Sequence, residues 1–132
     1  MPFTAILTKE IAEREDVRND RAKWIIKPRD SYGAHGIYPG RLLSEEEWKA
    51  RLDAHADTDY ILQEFVTPFR TENIYFGSSQ PQWQSFSNMT GVYLYGGRVA
   101  GIYSRASVTP IISVEGDEHE MTSIVLTGRQ KH

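Results

Sequence analysis

The chain contains no cysteine. Disulfides, thiolate nucleophiles and cysteine-ligated metals are therefore excluded, and no redox compartment can be read from thiol usage. It also lacks any apolar run of the roughly 20 residues that a membrane-crossing helix needs, and nothing near Met1 reads as a signal peptide. It has no excess of positive charge: 15 Lys and Arg against 18 Asp and Glu leave a net charge of −3. Binders of nucleic acid or anionic membrane present a basic face that displaces counterions, so neither is expected as a partner, and the cytoplasm is the expected compartment. Histidine is scarce. His35 lies in a glycine loop, and His55, His119 and His132 share no ligand spacing with one another, so no zinc site is expected. Gly-x-Ser-x-Gly and Gly-x-x-x-x-Gly-Lys-Ser/Thr are both absent, removing the nucleophile elbow and the standard phosphate loop.

What remains is enough for a packed fold. The chain has 132 residues, 39% of them hydrophobic, with three Trp, seven Tyr and five Phe, a length and content that suit one small domain. Residues 3–7 are apolar, and Lys9 to Asp20 is densely charged with Ile11 and Val17 as its only large apolar positions, which predicts a marginal helix with a solvated face. Trp24 to Lys27 reads as a buried strand ended by Pro28, with Gly36-Ile37-Tyr38 as its return strand. Ser44-Glu45-Glu46-Glu47-Trp48 predicts a capped helix start, because Ser44 and Glu47 can satisfy each other's backbone amides, and the helix should run to about Ala54 or His55. Tyr60 to Val66 has the aromatic and branched content of a buried strand. Residues 67–82 are polar and turn-rich, predicting a long loop or irregular hairpin. Met89–Tyr95, Gly96-Gly97 and Arg98–Arg105 form a two-residue hairpin signal. Ser107–Val114 should add a third strand, Gly116–Glu120 a charged turn and Met121–Leu126 a last short strand.

Two segments carry candidate chemistry. In Lys27-Pro28-Arg29-Asp30-Ser31-Tyr32-Gly33-Ala34-His35-Gly36, an apolar strand delivers one lysine and a glycine-bearing loop follows. Gly33 and Gly36 can adopt angles closed to other residues, so their amides can line an anion-binding concavity with Lys27 as the point charge; a plain hairpin turn is the competing reading. In Gln63-Glu64-Phe65-Val66, the strand end can offer backbone groups to a base and the Glu64 carboxylate to a ribose, or its polar residues simply surface. Tyr93, Tyr95 and Tyr103 alternate on two strands, as a stacking platform or as ordinary sheet packing.

In the order lysine strand, glycine loop, helix, Gln-Glu strand and antiparallel strands ending at Arg105, the chain resembles an ATP-grasp domain. It is most similar to the C-terminal nucleotide-binding portion of the circularly permuted, glutathionylspermidine synthase-like branch, over about residues 22–114. The resemblance implies ATP as cofactor, with Lys27 on the phosphates and the segment Ser31, Gly33, Ala34, His35 and Gly36 as a flap. It implies Gln63, Glu64, Phe65 and Val66 as the base and ribose hinge, and Arg105 as a catalytic cation. It implies a carboxylate–amine ligase that works through an acyl-phosphate, with small-molecule acid and amine substrates and magnesium. The acidic magnesium pair of that family is missing after Arg105, and in the permuted branch those ligands precede the lysine strand. Glu115, Asp117 and Glu118 are acidic but read as a solvated turn. The expectation is therefore a fragment of a longer enzyme, with the magnesium ligands outside this chain. The expected fold is α+β, an antiparallel sheet with a flanking helix in an ATP-grasp-like partial domain. A partial domain leaves apolar surface uncovered, so self-association is expected. The alternative is a non-catalytic interaction domain with the same sheet and no working nucleotide site.

Overall fold

The computed structural model describes residues 1–76, 80–112 and 118–121, and the chain divides into two compact units, Met1–Thr67 and Pro68–His132. Both are built on antiparallel sheets, and with the α-helices of the first unit the class is α+β.

The first unit runs β1 (Thr4–Ile6), α1 (Lys9–Ala12), α2 (Glu15–Asn19), β2 (Trp24–Pro28), β3 (Tyr38–Pro39), α3 (Glu45–His55) and β4 (Tyr60–Glu64). Its sheet has the order β1-β4-β2-β3, with every neighbouring pair antiparallel. Pro39, which has no N–H to give a ladder, sits on the edge strand. Side chains alternate across a strand, so Ile26 and its partner Leu62 share one face. That face is the core: both are fully buried, in one cluster with Leu7, Ala12, Val17, Trp24, Trp48 and Leu52. Burying each such aliphatic side chain contributes about 1.5–3 kcal/mol.

Helix α3 starts where the sequence predicts, and for the predicted reason. The Glu47 amide donates to Ser44 Oγ at 3.1 Å, and the Ser44 amide donates to Glu47 Oε2 at 2.8 Å. Trp48 and Leu52, four residues apart, fall on one stripe facing the cluster. The Trp48 indole N–H donates to the Val17 carbonyl at 2.8 Å, tying α3 to α2. The charged segment before β2 differs from its expectation: it is two short helices interrupted at Glu13–Arg14, and it places Ala12 and Val17 in the core. Burial of those two small apolar groups outweighs the weak helix propensity of the surrounding charges.

The second unit comprises β5 (Arg70–Tyr75), β6 (Gln82–Tyr95), β7 (Arg98–Ser107) and β8 (Glu118–Met121), in sheet order β5-β6-β7-β8. Gly96 and Gly97 turn the central hairpin with φ of 55° and 75°, angles that favour glycine. Three boundaries differ from the sequence reading. Arg70–Tyr75 is a strand within the expected loop, formed because β6 extends back to Gln82 and pairs with it throughout; pairing overrides its polar composition. Ser107 ends β7, and Val108–Ile112 adds no strand, Pro110 being unable to donate. The last strand occupies Glu118–Met121, where a turn is expected, and the rest of the expected Met121–Leu126 strand lies outside the described residues, as do Glu115 and Asp117.

On one face of this sheet Tyr75, Phe86 and His119 gather, with ring centroids 5.5–6.3 Å apart. On the other, Tyr103 lies across Gly91, where a Cβ would come within 2.0 Å of its ring, and Tyr93 packs on Gly101. Beyond the registers of β5 and β8, among the described residues, Val92–Tyr95 pair only with Arg98–Ile102. Leu94, Tyr95 and Val99 on that arm are exposed.

Candidate functional site

The alternation that sends Ile26 and Leu62 into the core sends Lys27 and Gln63 to the opposite face of the first sheet. Lys27 pairs with Ile61 and Ile25 with Gln63, so Lys27 and Gln63 are diagonal neighbours. The Lys27 ammonium donates to Gln63 Oε1 at 2.7 Å, and the Gln63 amide donates to Thr4 Oγ1 at 2.8 Å. A polar row thus crosses three strands.

The loop after Lys27 is held at its far end by the pairing of Tyr38 with Ile26 and at its near end by Arg29. The Arg29 amide donates to the Asp59 carbonyl at 3.0 Å, and its guanidinium pairs with the Asp59 carboxylate at 3.1 Å. Within it Gly33, Ala34 and Gly36 all have positive φ, 64°, 64° and 69°. Ala34 carries a side chain in that region, a strain of about 1 kcal/mol. Ser31 Oγ donates to the His35 carbonyl at 3.0 Å, and the His35 and Ile37 amides close turns onto Tyr32 and Ala34. The loop and strand end enclose a cleft of about 290 Å³ lined by Lys27, Pro28, Arg29, Ser31, Ala34 and Ile37. Lys27, Ser31 and Ala34 are residues the sequence singles out, and the structure brings them together.

The hinge residues are arranged less uniformly. Glu64 pairs with Trp24 on the core side, away from Lys27, and its carboxylate accepts the Phe3 amide at 3.3 Å. The Phe65 amide is already donated to the Lys23 carbonyl at 2.7 Å, while its ring lies 4.1 Å beneath the Arg41 guanidinium. Val66 is exposed. Arg105 belongs to the second unit, on β7 opposite Met89 and Glu120. Its guanidinium lies 5.2 Å from the Tyr103 ring centroid, in a cleft of about 330 Å³ that Tyr93 and Glu120 also line.

Sequence reasoning passes over Arg29, Thr4 and the aromatic group behind the loop. Arg29 repeats the Lys27 charge two positions on and is detectable by inspection; Thr4 depends on the β1–β4 register and has no local signal. Behind the loop, His55 stacks on Tyr60 at 3.9 Å and beside Tyr38 at 5.3 Å. Burial, and then the charge of Arg51, hold the His55 imidazole below the ordinary histidine range. Burial first, and then Tyr38, raise the Tyr60 phenol.

Lys27 and Arg29 line the cleft, Arg29 with its charge shared with Asp59, and an ammonium with one of its three protons given to Gln63 keeps two for an anionic oxygen. The cleft therefore suits a phosphate. Magnesium is another matter: among the described residues no group of three or more His, Asp or Glu side chains is placed to hold a metal ion. Also among the described residues, no helix is long and apolar enough to cross a membrane. No family model, curated protein or solved structure matches the chain.

Proposed function

We propose that the first unit binds ATP through the Lys27 cleft, as the nucleotide-binding portion of an ATP-grasp carboxylate–amine ligase that proceeds through an acyl-phosphate. The observation that carries this reading is the Lys27–Gln63 contact at 2.7 Å on the rim of a cleft walled by the glycine loop. In this reading Lys27 takes the phosphates, and Ser31, Gly33, Ala34, His35 and Gly36 close over them. Gln63, Phe65 and Val66 border the base. Glu64 fits its ribose role least, because it stands on the other face of the sheet. The resemblance gives Arg105, on the second unit, the role of catalytic cation, and the proposal includes magnesium, an acid and an amine. A cytoplasmic setting belongs to the same proposal.

A second reading, a non-catalytic interaction domain, is favoured by one observation: the exposed apolar arm around Leu94, Tyr95 and Val99, which suits self-association. Calorimetric titration of the chain with a non-hydrolysable ATP analogue, with and without magnesium and beside Lys27→Ala, separates the two. The nucleotide reading expects binding that weakens at least about tenfold in the variant, equivalent to about 1.4 kcal/mol. Equal affinity in both proteins, or none in either, rejects it in favour of the interaction domain.

A further inference from the structure

The ring cluster behind the glycine loop has no part in the nucleotide reading, yet it touches the loop directly. We propose that His55 is a proton-sensitive latch: its neutral ring holds Tyr60 against Gly36, and its protonation releases the wall of the Lys27 cleft.

The geometry is as follows. His55 closes α3, and its imidazole lies 3.9 Å from the Tyr60 ring at an interplanar angle of 18°. Tyr38 completes the group, near-parallel to both, and the Arg51 guanidinium lies 4.4 Å from the Tyr38 ring centroid. Among the described residues, His55 Nε2 is buried without a hydrogen-bond partner. A neutral imidazole tolerates this with an unshared lone pair, but an imidazolium would strand an N–H there with no acceptor. The charged and titratable groups facing the ring are Arg51 from the same helix, Tyr38 from β3 and Tyr60 from β4. The nearby acids are engaged elsewhere, Asp57 with Lys9 and Asp59 with Arg29. The Tyr60 face attracts a cation, but burial and Arg51 oppose one, and burial is the larger effect.

The link to the loop is steric. A Cβ on Gly36 would lie 2.8 Å from the Tyr60 hydroxyl and 3.3 Å from Pro28 Cγ, so the loop backbone rests on the phenol tip. Gly36 is two residues from Ala34 and adjoins Ile37, both cleft-lining. A tilt of Tyr60 removes the support for that wall. An effect on ligand affinity rests on the nucleotide reading; the response of the loop does not.

The test is therefore made without ligand. In the full chain carrying His35→Asn, which removes the loop's own imidazole, NMR follows the amides of residues 31–37 and the His55 ring from pH 8 to 5. The latch expects loop shifts that share the His55 midpoint, below the ordinary 6.5, and that flatten when His55→Phe is added. Loop amides that stay still while His55 titrates overturn it, and this comparison needs no variant at position 55. So does an unchanged loop titration in His55→Phe. A loop response in a chain that binds no nucleotide supports the latch and removes only the nucleotide reading.

Discussion

Trp48→Phe probes the first unit at its centre. Trp48 has no exposed surface, and its indole N–H is the buried tie from α3 to the Val17 carbonyl at 2.8 Å. Phenylalanine keeps an aromatic ring in the cluster but deletes the donor and about three heavy atoms. A buried carbonyl deprived of its donor costs about 1–3 kcal/mol. The lost burial, at about 0.8 kcal/mol for each methylene-sized group, adds roughly 2 kcal/mol. The sum is about 3–5 kcal/mol. Against it stands the whole stability of a unit spanning Met1–Thr67, about 3–10 kcal/mol at the usual value per residue. In urea, followed by far-UV circular dichroism on the full chain, a slope near 1 kcal/mol/M turns the loss into a midpoint lowered by about 3–5 M, or into a missing native baseline. Trp83→Phe is the control: Trp83 is 73% exposed, on the second unit, and its replacement should stay within about 0.5 kcal/mol. A Trp48→Phe midpoint within about 0.5 M of the parent would falsify the assignment of Trp48 to the core.

Two further outcomes follow from single contacts. Burial, then Arg51, depresses the His55 pKa in the folded state below the ordinary histidine value of 6.5, so the unfolded chain binds more protons between the two values. Stability is then fully present above about pH 6.5 and falls as the pH drops through the folded-state value; thermal midpoints from pH 8 to 5 should decline less in His55→Phe than in the parent, and an equal decline contradicts the assignment. In Gly91→Ala the new methyl would meet the Tyr103 ring at 2.0 Å, which must swing off the strand and forfeit a cross-strand pair worth up to about 1 kcal/mol. Unmoved Tyr103 ring resonances in that variant would show that the ring does not lie there.

How much of this was legible depends on how local each cause is. The Ser44 helix was readable because its cap is written in four consecutive residues, and the Gly96-Gly97 hairpin because positive φ at two positions calls for glycine. The Arg70–Tyr75 strand was not, since nothing in its polar composition foretells the partner that pairs with it. Val17 looked like one apolar residue on a charged helix, and only the indole of Trp48, 31 residues on, shows it to be core. The site divides in the same way. Lys27 and the glycine loop are contiguous in sequence and meet in one cleft. Glu64 shows what the local pattern does carry: adjacent residues of a strand face opposite sides, so Gln63 and Glu64 cannot both look toward Lys27.

That alternation also governs how far a binding result can be interpreted. In the first sheet, Trp24, Ile26 and Leu62 belong to the face that holds the unit together, and Lys27 with Gln63 to the face that borders the cleft. The core contacts and the proposed ligand contacts thus fall on opposite sides of the same five-residue strands. Removing the Lys27 ammonium deletes one side-chain hydrogen bond on the cleft side, about 1 kcal/mol, and touches none of the fully buried cluster. Lys27→Ala should therefore stay folded, and a binding defect in it reports on the cleft. A variant on the opposite face, such as Leu62→Ala, would lose about 2–5 kcal/mol and with it any binding the cleft supports. The two substitutions separate an affinity lost at the site from one lost with the fold.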